Sequence, residues 1–287
     1  MSTAEERRII DKIKALGYPL EVEVINQLMK ERWAVQPQYT YADKQTGKIR
    51  SIDILVTCFL PEMKIQEMPR IAIECKKSEN AWVFYCVDMI SRSPTELDKT
   101  GINLLDIAAL GTTSISLLTP FLKYNALEGE HEFSQLTDFN ILQDIGQVHF
   151  FDANLPRAFV GHVVKKKMKE DEPDSFQKAL HQLRGACLNL MGEFPKSPIV
   201  AVIVVQGQLY QYKKVNEREE FKTANHILYS TLQFLPDDFE LGKHSFPPTI
   251  VDIVTDSYLP DYIVLIKKDL EILSKLYRRL KQGSNDS

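Results

Sequence analysis

No stretch of this sequence approaches the roughly 20 uninterrupted apolar residues needed to span a bilayer. Its opening, MSTAEERRIIDKIK, is charged and amphipathic rather than leader-like. Both absences predict a cytoplasmic protein with no membrane partner. Cysteine is scarce: 4 in 287 residues, at Cys58, Cys75, Cys86 and Cys187, with no CxxC and no nearby histidine pair. That argues against a zinc site and a disulfide framework, and predicts reduced, mostly buried thiols. The histidines (His131, His149, His162, His181, His226 and His244) form neither HxH nor HExxH, which argues against a histidine metal centre. An excess of charge is missing too. With 35 Lys+Arg against 39 Asp+Glu the net charge is -4, at odds with nonspecific coating of nucleic acid but compatible with one local basic groove. There is no fixed-period repeat, no low-complexity linker, no helix-turn-helix and no zinc finger.

What is present is an ordinary globular composition, 44% hydrophobic, enough for a sizeable core. Ile9, Ile10, Ile13 and Leu16 recur at helical spacing before Gly17, and Leu20, Val24, Ile25 and Leu28 repeat the pattern. Next, AVQPQYTYADKQTGKIRSIDILVTCFL predicts two strands joined at Asp43 to Lys48, a segment containing Gly47. RIAIECKKS reads as a third strand that turns abruptly charged. Further on, SFQKALHQLRGACLNLM is helical, and PIVAVIVVQGQLYQY predicts a central strand, a turn at Gly207 and an edge strand. TIVDIVT is another strand, and DYIVLIKKDLEILSKLYRRLK an amphipathic helix with a basic last turn that suits its dipole. The expected architecture is α/β: a single domain over 1–287, its mixed central sheet flanked by helices. Residues 80–174 are expected as a large insertion after the third strand, and 282–287 as a frayed tail.

Chemistry concentrates at Asp53 and at Glu74-Cys75-Lys76. Strand side chains alternate faces, so Glu74 and Lys76 point one way and Cys75 into the opposite layer. If the second and third strands are neighbours, Asp53 approaches Glu74 closely enough for both carboxylates to share a divalent cation. Hard oxygen donors favour magnesium or manganese over zinc. Such a cation would neutralise a phosphate and activate a water, with the Lys76 ammonium adding charge stabilisation.

The segments GYPLEVEV, KIRSIDILV and IAIECKKS, in this order over roughly the first eighty residues, resemble the PD-(D/E)XK nuclease superfamily of restriction enzymes, Mrr-like enzymes and Holliday junction resolvases. The resemblance implies a restriction endonuclease-like fold and a Mg2+- or Mn2+-dependent DNA endonuclease. By resemblance, Asp53 and Glu74 would be metal ligands, Lys76 the catalytic lysine, Glu21 an additional helix carboxylate and the Cys75 backbone carbonyl a further ligand. Gln182 would match the glutamine that many members carry on a later helix, with Gln177 and Arg184 as alternatives, although roughly a hundred residues separate that helix from the third strand. The usual proline before the first aspartate is Ile52 here. A homodimer cutting both strands is one arrangement such a resemblance implies. The alternative function is a nuclease-like fold without cleavage, acting as a nucleic-acid-binding or protein-interaction module.

Each signal also has a plainer reading. Glu21 equally suits a first-turn acid that favours the helix dipole. Lys77 suits a solvated strand end or a phosphate contact. The run Lys165 to Lys167, next to Glu170 to Asp174, fits a solvated loop, and Trp82, Phe84 and Tyr85 fit core packing better than base stacking.

Overall fold

The alternating and β-branched segments cannot leave their apolar faces in water, and the chain buries them in one ten-stranded mixed sheet. A computed structural model describes residues 4–15, 18–43, 46–87, 155–164, 175–194, 197–215, 218–230 and 250–283. The strands are β1 (Ala34–Ala42), β2 (Ile49–Thr57), β3 (Arg70–Lys77), β4 (Ala81–Val87), β5 (Arg157–Val164), β6 (Ile199–Gln206), β7 (Leu209–Val215), β8 (Arg218–Thr223), β9 (His226–Ser230) and β10 (Ile250–Thr255). The helices are α1 (Ala4–Ala15), α2 (Tyr18–Met29), α3 (Ser175–Glu193) and α4 (Leu259–Gly283). Across the sheet the order is β1-β2-β3-β6-β10-β9-β5-β4-β7-β8. The pairs β3–β6 and β6–β10 are parallel, whereas β1–β2 and β2–β3 are antiparallel.

Two cores sandwich this sheet. On one face Leu20, Val24 and Leu28 of α2 pack with Ile263, Ile266 and Leu270 of α4 over Ile73, Val202 and Val254. On the other, Phe176, Leu180, Leu183 and Cys187 of α3 cover Ala72, Ala201, Ile203 and Ile253. Strands β6 and β10 are buried along almost their whole length, as continuous apolar runs require when both faces are covered. The described α1 is less well covered than its periodicity predicts, since Ile9 and Ile13 stay half exposed.

Several expectations need correction. The segment 80–174 is not wholly an insertion, because β4 and β5 within it pair with each other and join the central sheet. The inserted stretch therefore follows the fourth strand, not the third. Tyr85 blunted the sequence signal there: Trp82 and Phe84 are fully buried but Tyr85 is 47% exposed, so β4 alternates without a uniform apolar run. The strand after Gly207 is not an edge, since β7 lies between β4 and β8, and the all-exposed REEFKT of β8 forms the border. Charged side chains along such a border discourage pairing with other chains. Helix α4 continues to Gly283, so Gln282 and Gly283 belong to it rather than to a tail. Gly17, Lys165 to Asp174, His131, His149, His244 and the last four residues lie outside the described residues. All four cysteines are free and buried, as expected.

Candidate active site

The β1–β2 hairpin turns where the sequence predicts it. Gly47 holds φ 68, the left-handed conformation that a side chain disfavours, and donates its N–H to the Asp43 carbonyl at 2.7 Å. From there β2 runs back beside β3, with Ile54 opposite Ile73 and Leu55 opposite Ala72. One further step of this register sets Asp53 opposite Glu74, and there the pairing stops. The ladder to β1 is interrupted at the same residue: Ile54 pairs with Pro37 and Ile52 with Tyr39, while Asp53 and Gln38 between them are not paired. Gln38 has φ 49, a conformation unusual for a residue with a side chain. Ile52 and Leu55 both enter the core beneath α3, whereas Ile54 and Val56 enter the core beneath α2, so the alternation of β2 slips by one at this point.

The slip opens the sheet, and Asp53 occupies the break. Its Oδ2 accepts the Cys75 backbone N–H at 2.7 Å, substituting for a strand carbonyl. Lys76 Nζ donates to Glu74 Oε2 at 2.5 Å and stands 3.9 Å from Asp53 Oδ2. The three side chains predicted to share a site therefore do so. The Cys75 side chain enters the opposite core, beside α2, as alternation demands.

Exposure differs sharply within the group. The Glu74 side chain is 0% exposed, but those of Asp53 and Lys76 are 16% and 20% exposed, so the cluster meets solvent through them. Burial pushes the Glu74 carboxyl up to about 8, and the Asp53 charge adds to this while Lys76 opposes it. Burial works to lower the Lys76 ammonium, yet Glu74 and Asp53 outweigh it and hold that group above its usual value. Glu74 Oε1 is buried and has no hydrogen-bond partner among the described residues. An acceptor left in that state costs free energy unless something electropositive reaches it.

Glu21, on the first turn of α2, accepts a hydrogen bond from Gln38 Nε2 at 2.9 Å. Its carboxyl is raised by partial burial and by Asp53. Among the described residues no group of three or more His, Cys, Asp and Glu side chains is assembled to hold a metal ion. The donor set on which a cation would rest is thus Asp53 and Glu74, with the orphaned Glu74 Oε1 as the observation that suits one. Gln182 lies on α3, its Nε2 3.5 Å from the Ser51 carbonyl, and lines a pocket beside the cluster rather than joining it. Lys77 is exposed at the end of β3.

Tyr41 and Gly185 escaped the sequence reading. Tyr41 on β1 donates its hydroxyl to the Gln182 carbonyl at 2.9 Å, and a Cβ on Gly185 would sit 2.7 Å from that hydroxyl. Burial, and then the Glu74 charge, push the Tyr41 phenol well above its usual range. An isolated glycine inside an otherwise helical apolar pattern was the available signal, since such a residue commonly marks a close approach.

The chain matches no protein-family model, no curated protein and no solved structure. The described residues contain no helix long and apolar enough to cross a membrane.

Proposed function

We propose that this chain is a divalent-metal-dependent nuclease that hydrolyses phosphodiester bonds, with DNA as its substrate and Asp53, Glu74 and Lys76 as its centre. The observation that carries this reading is the Lys76 ammonium, 2.5 Å from Glu74 and 3.9 Å from Asp53, at a break in the β2–β3 ladder that reaches solvent. The order of helix, hairpin and charged third strand supports a restriction endonuclease-like core of the PD-(D/E)XK kind, built here into a larger sheet.

Asp53 and Glu74 would hold a magnesium or manganese ion, which suits hard carboxylate oxygens and supplies Lewis-acid charge and an acidified water when bound. Burial favours the protonated form of Glu74, and a cation bound there would displace that proton by supplying the positive charge the buried carboxylate lacks. Lys76 stays protonated beside the two acids and donates to Glu74. There it can stabilise charge building on a phosphate oxygen. Asp53, fixed by the Cys75 N–H, is positioned before any ligand arrives.

Purified protein is expected to nick or cut DNA with Mg2+ or Mn2+ and to stop on chelation. Calorimetric titration with Mn2+ should show binding that disappears in Asp53→Ala. A second reading, a nuclease-like module without cleavage, draws on Glu21 being engaged by Gln38 instead of completing a third donor. Absence of Mn2+ binding even with DNA present would select it.

A further inference from the structure

An open cavity of about 630 Å³ lies between the β1–β2 hairpin and α3, lined by Arg50, Lys178, His181, Gln182 and Arg184 among others. Resting on the nuclease reading, we propose that this pocket binds the sugar-phosphate backbone of the nucleic acid strand that enters the Asp53–Glu74–Lys76 cluster.

Three observations carry it. The first is charge: the lining contributes the cations Arg50, Lys178 and Arg184 against a single carboxylate, Asp43, on a chain whose net charge is -4. A local reversal of sign is what an acidic protein needs to hold a polyanion. The second is arrangement. Lys178, His181, Gln182 and Gly185 are spaced i, i+3, i+4 and i+7, which puts them along one stripe of α3 facing the hairpin. Lys178 and His181 are exposed, whereas Phe176, Ala179, Leu180 and Leu183 of the same helix are buried in the core. The third is position. Ser51 in the pocket wall is two residues from Asp53 on β2, and its carbonyl lies 3.5 Å from Gln182 Nε2 on the opposite wall. A strand seated in the pocket would therefore lie against the segment of β2 that leads to Asp53. Lys48, exposed at the hairpin tip beside Gly47, extends the same basic track outward.

The pocket serves to position the strand, so its removal should act on binding separately from bond cleavage. The test is fluorescence anisotropy of a labelled duplex oligonucleotide in chelator, across a salt series, with the full chain. Lys178→Glu/Arg184→Glu should bind roughly tenfold or more weakly, with the salt dependence reduced by about one phosphate contact for each cation lost. Lys178→Glu alone changes only an exposed side chain and keeps the test valid if the double variant misfolds; a severalfold loss is expected. Lys268→Glu, exposed on α4 across the sheet, should bind as the parent does. Asp53→Ala should retain binding in chelator while losing cleavage, so failure of the metal chemistry and failure of this pocket give different results. Unchanged affinity in Lys178→Glu and in the folded double variant would overturn the proposal. So would a pocket that takes inorganic phosphate in calorimetry, sensitive to Arg184→Glu, while oligonucleotide affinity does not move.

Discussion

Among the described residues two acids have no solvent exposure at all, and they are not alike. Asp252 on β10 faces the core beneath α4, where its Oδ1 lies 2.6 Å from His226 Nε2; side-chain exposures are 0% and 2%. The rings of Tyr258 and Tyr262 pack over that histidine at 6.0 and 5.4 Å. Neither member of that pair meets solvent. Glu74 is equally buried on the opposite face, but its neighbours Asp53 and Lys76 reach the surface. Burial of a charge is therefore a poor guide to chemistry by itself. What separates a structural pair from a reactive one is whether the cluster is closed upon itself or open to a ligand.

Substitutions can break this contrast, beginning with the largest effect. Lys76→Ala should lower metal-dependent DNA cleavage by roughly 10²–10³, the scale of removing one stabilising donor, with the chain still folded by circular dichroism; steady cleavage in that variant removes Lys76 from the mechanism. At the closed pair the pattern reverses. Asp252→Ala should cost about 1–3 kcal/mol, as loss of one partner from a buried hydrogen-bonded pair does, measured by urea unfolding. If it melts like the parent, the pair is not structural. Gly185→Ala pushes a methyl against the Tyr41 ring and should cost about 1–3 kcal/mol by overpacking.

The contrast also extends to the pH dependence of the metal-free protein. Because the folded Glu74 carboxyl is raised from 4.5 to about 8, the folded chain binds more protons than the unfolded chain between those values. Stability from this group is complete below the lower value and is lost as pH rises through the upper one. A melting temperature that declines from pH 5 to 8 and flattens in Glu74→Gln is expected. Added Mg2+ should flatten it too, by taking the place of the proton.

The sequence made the near half of this comparison legible and left the far half hidden. Alternation in KIRSIDILV and IAIECKKS was enough to pair Asp53 with Glu74 and to turn Cys75 away, because local period and turn chemistry fix a hairpin register. The paired acids, the lysine and both flanking helices follow from the same patterns. The closed pair could not be anticipated: His226 and Asp252 are 26 residues apart and meet through antiparallel pairing of β9 with β10. Strand β4 was missed for a related reason. Its partners β5 and β7 are distant in sequence, and the packing that buries Trp82 and Phe84 comes from α3, through Phe176. The pocket depends on Tyr41 meeting Gly185, a contact between the first strand and a helix begun more than a hundred residues later.

The correction at β4 has an engineering consequence. Val87, where the chain leaves the sheet, and Arg157, where it returns, are register partners on adjoining antiparallel strands. The whole excursion between them therefore closes like the loop of a hairpin, and closure entropy grows only slowly with its length. Replacing 88–154 by a short turn would keep the ten described strands together with Leu155, which packs against the core, and Pro156, which accepts the Leu228 N–H, and the same junction is a docking point at which foreign domains could be spliced in.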